Sequence, residues 1–411
     1  MSFVDTRFPL FLQGAGGQTK RSAGSPSAIG RAALTASVVS SMDAFMALEA
    51  EWHTLYEALP EKNLNIHHAW LATWLANFPP AQLMVITVRD AAGALVGVAP
   101  FKIDRTRFGL AQRLLRQVQF IGTEPDIYES MRILVHPQAY DVAVTTAVAE
   151  ILRRHQAQWD MLNLRFCSEP AQLTTLLTVL DGAPHPERIQ KTSAIPYARL
   201  SNAIDDQTQM KKKLKRKFQA LKKDFPDREL VTRNVPSGEE ADRLIGRMVE
   251  NHIEYWAKRG YPSDFKRFPH LHAFYRDIHH RFAPGNSPDG EFHFTVIQLD
   301  DEPIVFDFSL WHTDSAIYHI TSYNESFHKY SPGMLLLLTL YQRGMEEGVK
   351  RFEFGRGDEP YKYKYAEHDI PLYTLLHFQN PLAPIIWQTD EGLRTAKHAV
   401  RGLLKRTPAE A

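Results

Sequence analysis

At 411 residues the chain is too long for one small domain, and two domains are the natural reading. A composition that is 44% hydrophobic and 11% aromatic is ample for a packed core, while 48 basic against 47 acidic residues exert no global pull on nucleic acid. The single cysteine, Cys167, excludes an intramolecular disulfide framework and a cysteine-rich zinc site, and it fits a reducing cytoplasm.

Residues 1–40, with Gly14-Ala15-Gly16-Gly17 and a Ser/Gly-rich stretch from Ser22 to Ser27, carry no sustained apolar period and read as a flexible arm. Phe8 to Leu12 is too short for a signal-peptide core, and no later stretch approaches the length of a membrane span. From Ser41 the pattern becomes regular. Phe45, Leu48, Trp52 and Leu55 recur at helical spacing, and Trp70, Trp74 and Leu75 continue on a second helix. Leu83 to Val88 and Leu95 to Ile103 flank a turn at Asp90-Ala91-Ala92-Gly93 and form a hairpin. Strands at Val118 to Ile121 and Met131 to Val135, a helix from Ala139 to His155 and a strand from Met161 to Phe166 complete a first unit, residues 41–200.

Residues 210–225, MKKKLKRKFQALKKDF, place Met210, Leu214, Phe218, Leu221 and Phe225 on one stripe, with lysine or arginine at most other positions. This is an amphipathic basic helix. Its charged face is either a solvated surface or a contact for an anionic membrane surface, polymer or nucleic acid.

A second unit, residues 201–381, follows the order of the first. Ser237 with Glu240 predicts a capping box for a helix ending near Gly260. Phe292 to Leu299, Pro303 to Trp311 and Ser315 to Ser322 read as strands. Ser331, Pro332 and Gly333 then open an apolar helix beginning Met334-Leu335-Leu336 and running to Gly348. Serine suits the cap, proline the first turn, and glycine lets a ligand approach the uncapped N–H groups and the positive end of the helix dipole, the ingredients of an anion site. A strand from Lys350 to Phe354 ends in Gly355-Arg356-Gly357-Asp358, a sharp turn, followed by Tyr361-Lys362-Tyr363-Lys364-Tyr365. Residues 382–411 form a tail with helical content. The first unit has His136-Pro137-Gln138-Ala139 at the corresponding place and no later G-R-G or Y-K. One active site is therefore expected, in the second unit, with the first shaping the acceptor cleft.

The S-P-G opening of a Leu-rich helix, the strand ending F-x-F-G-R-G and the following Y-K resemble the GNAT-type acyltransferases of the cellulose-biosynthesis CelD/BcsL group, a family also similar to the FemAB-type aminoacyl transferases. The resemblance extends from about Ser40 to Pro381 and includes the basic segment and a W-x-x-R-G element at Trp256, Arg259 and Gly260. It implies an α/β fold of two tandem GNAT-like mixed-sheet units, an acyl-CoA donor (acetyl or longer) and an amine or hydroxyl acceptor, here a sugar, cell-envelope or exopolysaccharide precursor. The donor candidates are Ser331, Pro332, Gly333, Met334, Arg356, Gly357 and Lys362.

For acid–base chemistry the candidates are Asp307, His319, Tyr361 and Lys362. Asp307 between Phe306 and Phe308 is ill-placed on a strand unless it is paired or functional. A three-residue turn at His312-Thr313-Asp314 would set Asp307 opposite His319, and a two-residue turn would set it opposite Ile320. Tyr361 could protonate a leaving thiolate, and Lys362 could bind donor phosphate or stabilise an oxyanion. The other histidines, including His67-His68 and His279-His280, make no metal motif, so no metal is expected. The alternatives are a FemAB-like transferase using aminoacyl-tRNA, for which the basic helix would bind tRNA, and a non-catalytic subunit of a polysaccharide-synthesis complex. The expected location is the cytoplasm, with the inner membrane face within reach of the basic helix.

Overall fold

The computed structural model describes residues 34–393 apart from 107–111, 126, 140, 201–203, 313 and 391. Its strands are β1 (Thr35–Val39), β2 (Gln82–Arg89), β3 (Leu95–Asp104), β4 (Gln117–Phe120), β5 (Leu134–Val135), β6 (Met161–Cys167), β7 (Ile189–Arg199), β8 (Leu230–Asn234), β9 (Glu291–Leu299), β10 (Glu302–His312), β11 (Ser315–Tyr323), β12 (Arg351–Glu353) and β13 (His368–Phe378). The helices are α1 (Met42–Met46), α2 (Glu49–Ala58), α3 (His68–Asn77), α4 (Asp141–Arg154), α5 (Pro170–Asp181), α6 (Ile204–Asp224), α7 (Glu239–Lys258), α8 (Asp264–Arg267), α9 (Leu271–Phe282) and α10 (Pro332–Glu346). Residues 383–390 are also helical.

All strands belong to one 13-stranded sheet of order β1-β2-β3-β4-β6-β13-β7-β12-β11-β10-β9-β8, with β5 paired to β3. Read inward from either edge, the order is the same: an antiparallel run, one parallel pair, then an exchanged antiparallel strand. The parallel pairs are β4 with β6 and β11 with β12. In each, a helix crosses over between the two strands, α4 in the first half and α10 in the second, as parallel neighbours require. The exchange is reciprocal. β7, which ends the first half in sequence, pairs with β12, and β13, near the end of the chain, pairs with β6. The duplicated order expected from the sequence is thus present, and its two copies are interlocked.

The largest apolar core runs beneath both halves. Trp70 on α3 packs edge-on against Phe274 and Phe292 of the second half, and Phe292, Phe308 and Phe294 stack along β9 and β10. The opposite face of the second half is covered by α10, whose Leu335, Leu336 and Leu340 are buried. Along α10 lies α6, with Leu221 buried and Leu214, Phe218 and Phe225 packed against the same core, so the stripe read from the sequence is the packing face. Its lysines 211, 212, 213 and 215 are exposed. Among the described residues no helix is long and apolar enough to cross a membrane.

Three local expectations are corrected. Thr35–Val39, read as part of the arm, pairs with β2 as an edge strand, while residues 1–33 lie outside the described residues. Gly238, not Ser237, occupies the N-cap of α7, and Glu240 bonds to Arg233 instead of closing a capping box. Ser331 sits before α10 in the left-handed region (φ 54°) and makes no side-chain cap, so the amide end of that helix is less sealed than a capping serine would leave it.

Candidate functional site

The parallel pairing of β11 with β12 covers only Ser315–Ile317 against Arg351–Glu353. Beyond it the strands diverge, and the gap opens a cleft of about 610 Å³. Its walls are Tyr318 to Tyr323 of β11, the α10 residues Gly333, Met334 and Leu337, and Phe354 to Arg356 with Tyr361 and Lys362. The first half contributes Gln117, Glu129, Asn163 and Arg165, and α7 and α9 add Tyr255, Trp256 and Tyr275. The glycine after β12 is demanded by geometry: a Cβ at Gly355 (φ 72°) would sit 2.4 Å from the Tyr318 carbonyl oxygen.

The β10–β11 ladder overturns the pairing expected for Asp307. His312 pairs with Ser315, but the register shifts between Phe308 and Ser309, so Ser309 faces Tyr318 and Phe308 faces Ile320. His319 is the extra residue of a bulge. Asp307 consequently lies opposite Thr321, neither His319 nor Ile320. Its Oδ1 accepts the Thr321 hydroxyl at 3.1 Å, while Oδ2 has no partner. Burial pushes this carboxyl up to about 8, against the lowering effect of Ser309 and Thr321, so it is a neutral acid behind the cleft wall near neutral pH.

The bulge turns His319 towards the first half. Its side chain is fully buried, with Nδ1 2.7 Å from Glu129 Oε1 and Nε2 3.0 Å from the Tyr275 hydroxyl. Glu129 Oε2 accepts the backbone N–H of Arg356 at 2.6 Å, and the Glu129 backbone N–H donates to Asn65 Oδ1 at 3.0 Å. Burial works to raise the Glu129 carboxyl, but the hydrogen bond from His319, and then Arg356, outweigh it and hold the group below the usual carboxylate range. An ionised Glu129 orders the chain: Nδ1–H donates to Glu129, and Tyr275 O–H donates to Nε2. The phenol of Tyr275, raised first by burial and then by Glu129, lines the cleft at the end of this chain.

The remaining candidates fall around the same opening. A Cβ built at Gly333 meets nothing within 4 Å, so the start of α10 is open to a ligand. Gly333 and Met334 line the cleft; Ser331 and Pro332 set the helix entry. The Arg356 guanidinium donates to the Tyr128 carbonyl at 2.9 Å and lies 3.8 Å from the centre of the Phe166 ring. Gly357 bonds through its N–H to the Ala194 carbonyl. Lys362 is buried; its ammonium donates to the carbonyls of Gly355 (3.0 Å) and Arg356 (2.8 Å) and pairs with Glu359 at 2.9 Å. Tyr361 is partly exposed in the cleft, and burial followed by the charge of Glu359 raises its phenol, which stays protonated. The W-x-x-R-G element lies at the mouth: Trp256 lines it, and Arg259 stacks 3.4 Å from the Tyr255 ring centre and pairs with Glu325.

Glu129 and Tyr275 carry no sequence signal. One is the last of three acids between Glu124 and Glu129 in the first half, the other a tyrosine on the apolar face of an amphipathic helix. Cys167 is buried, and burial pushes its thiol up to about 12. His53, His67 and Asp289 bring three ligand-type atoms within 4.8 Å. However, His67 Nδ1 accepts the Ala69 N–H at the head of α3, which leaves the proton on Nε2, donated to Asp289 at 3.1 Å. Through the His67–Asp289 contact that grouping ties the two halves together.

Residues 208–363 match the family model described as an acetyltransferase (GNAT) domain. Among solved structures, FemX superposes with a TM-score of 0.52 at 10% identity, covering 84% of this chain and 98% of its own. The C-terminal domain of a putative lysylphosphatidylglycerol synthetase from Agrobacterium fabrum gives 0.50 at 9% identity, covering 85% and 97%. A tandem GNAT protein from the clavulanic acid biosynthesis pathway gives 0.45 at 12% identity, covering 85% and 99%. No curated protein matches. At such identities the FemX and synthetase-domain similarities establish fold alone. The GNAT match on the second unit and the repetition of its strand order in the first define a protein of two tandem GNAT-like units. The particular match to an acetyltransferase domain falls on the second unit, the one that carries the open helix.

Proposed function

We propose that the protein transfers an acyl group from acyl-CoA to a hydroxyl or amino group of a sugar, cell-envelope or exopolysaccharide precursor. The observation that carries this reading is the meeting, in one cleft, of the open N-terminus of α10 at Gly333 with the Tyr275–His319–Glu129 chain. The first suits the diphosphate of the donor, because uncapped N–H groups and the helix dipole favour anions. The second suits removal of the acceptor's proton.

In this reading the acceptor oxygen or nitrogen bonds to the thioester carbonyl carbon while the carbon–sulfur bond breaks. The acceptor's proton passes to the Tyr275 oxygen as the Tyr275 proton moves to His319 Nε2, and the ionised Glu129 stabilises the imidazolium. Tyr361, kept protonated, supplies a proton to the departing thiolate and regains one from solvent as the imidazolium releases its own. The products are the acylated acceptor and free CoA thiol. The CelD/BcsL-type resemblance favours a polysaccharide setting on the cytoplasmic side of the membrane, where α6 could face anionic lipid.

The test is calorimetric titration of CoA and acetyl-CoA into the parent and Gly333→Phe. The new side chain points into open space, so the fold survives, and CoA affinity should fall more than about tenfold as the diphosphate is excluded. Equal affinity would remove the donor from this helix.

A second reading, aminoacyl transfer from charged tRNA, is favoured by the exposed basic face of α6 alongside α10. It requires tRNA binding with a steep salt dependence.

A further inference from the structure

The cleft continues past the Tyr275 phenol onto the first half, where β4 and β6 pair only at Gln117–Val118 with Met161–Leu162 before they too diverge. At this end stands Gln117, fully buried yet part of the lining. Its Oε1 accepts from Asn163 Nδ2 at 2.9 Å and from Gln119 Nε2 at 3.2 Å, which commits its carbonyl twice and turns its amide N–H group elsewhere. That Nε2 has no hydrogen-bond partner. Trp387, from the helical residues 383–390, lines the same cleft, and its buried indole Nε1 has no partner either.

An unpaired buried N–H forfeits its hydration without recompense, and folded proteins tolerate few of them. Two in the lining of one cleft are both accounted for by a single ligand that completes them. Both groups are donors, so the ligand must present acceptor oxygens. The neighbouring polar lining is neutral, formed by the Asn163 amide and the Thr374 hydroxyl, and the nearby ionic side chains Glu124 and Arg165 are of opposite sign. A net anion is therefore not demanded. Oxygens arrayed on a compact neutral frame, set against an indole, are the features of a glycosyl unit, whose hydroxyl or acetamido oxygens accept from amide N–H groups while its C–H face meets an aromatic ring.

We infer that the first-half end of the cleft, at Gln117 and Trp387, is the acceptor subsite and that it holds a neutral saccharide. This deepens the acyl-transfer reading, on which the word acceptor rests. The saccharide site itself can be tested without any donor.

The experiment is ligand-observed NMR and calorimetry on the full chain, with N-acetylglucosamine and cellobiose as probes and no CoA present. The parent should bind at least one probe. Trp387→Phe, which keeps an aromatic ring and removes the N–H, and Gln117→Met, which keeps the volume and removes the amide, should each weaken binding roughly 3- to 10-fold. CoA affinity should be unchanged in both. Trp387 is only half-buried, so its variant remains informative where Gln117→Met lowers the melting temperature. No binding of either probe to the parent at about 10 mM, or parent affinity in the folded variants, would overturn the inference. Saccharide binding that weakens as expected in a protein that ignores CoA would uphold it while sinking the donor assignment.

Discussion

Glu129 Oε1 lies 2.7 Å from His319 Nδ1, joining residues 190 positions apart in sequence and in different halves of the sheet. The contact depends on the β11 bulge for its direction and on the Arg356 N–H for its second anchor. In the proposed reaction it makes the junction between the halves the place where a proton is received.

Replacing Glu129 with glutamine preserves shape and an acceptor for Nδ1–H but removes the charge that favours an imidazolium. Turnover should fall roughly 10²-fold or more, with CoA affinity retained. His319→Asn should act in the same direction. The parent's pH profile should show an acidic limb that moves in Glu129→Gln, because the native carboxylate holds its charge below the usual range and loses it only as pH falls further. Steady-state kinetics with a circular dichroism check would decide; parent turnover in both variants would reduce the pair to a buried structural contact.

Much of the sheet was legible locally because its hairpins announce themselves. β2 and β3 alternate around Asp90-Ala91-Ala92-Gly93, and β9, β10 and α10 fall within a few residues of their sequence limits. β7 and β13 were not legible. The first carries Lys191 and Pro196, the second His368, Asp369 and Pro371, features that read as loop; both are strands because each completes the other half's sheet. The same distinction governs the site. Gly333 was visible as a helix start, whereas the partner of His319 was not. One inserted residue in β11 shifts the register without disturbing the alternation a reader sees, and the carboxylate that results comes from the other half of the chain.

Asp307 offers a test by pH. Burial raises its carboxyl to about 8, so between its ordinary value and pH 8 the unfolded chain releases a proton that the native protein keeps. Native stability therefore falls with rising pH across that window, by about 1.4 kcal/mol per unit for this one group, and the loss stops above pH 8. The amide introduced by Asp307→Asn cannot titrate. The melting temperature of Asp307→Asn relative to the parent should climb from pH 5 to pH 8 and then level. Scanning fluorimetry at several pH values checks this, and a difference that does not vary with pH would mean that the carboxyl is already ionised.

Lys362 is held by backbone carbonyls of the Gly355–Gly357 turn and by Glu359. Methionine in its place leaves those acceptors and a partly buried carboxylate unmatched, a loss of about 3–5 kcal/mol by analogy with other broken buried pairs. The melting temperature should fall by several degrees, and CoA binding should weaken only as the turn loosens. A variant with the parent's melting temperature and weak CoA binding would instead assign the ammonium to donor phosphate.

The basic helix separates the readings of what the protein works beside. Lys212, Lys215 and Lys222 are exposed on α6, while Met210 and Leu221 are buried in its packing face, so reversing the three charges to glutamate leaves the apolar contacts in place. If the face meets anionic lipid, the parent should bind vesicles containing phosphatidylserine, binding should decline with salt, and the triple variant should lose on the order of 10²-fold in partitioning. Binding of tRNA with a steep salt slope, and none to vesicles, would favour the aminoacyl-transfer reading. Turnover of a small soluble acceptor should survive in the variant, because Lys212, Lys215 and Lys222 are not among the side chains that line the cleft around Tyr275 and His319. Association that is indifferent to both salt and charge reversal would return the helix to a solvated surface.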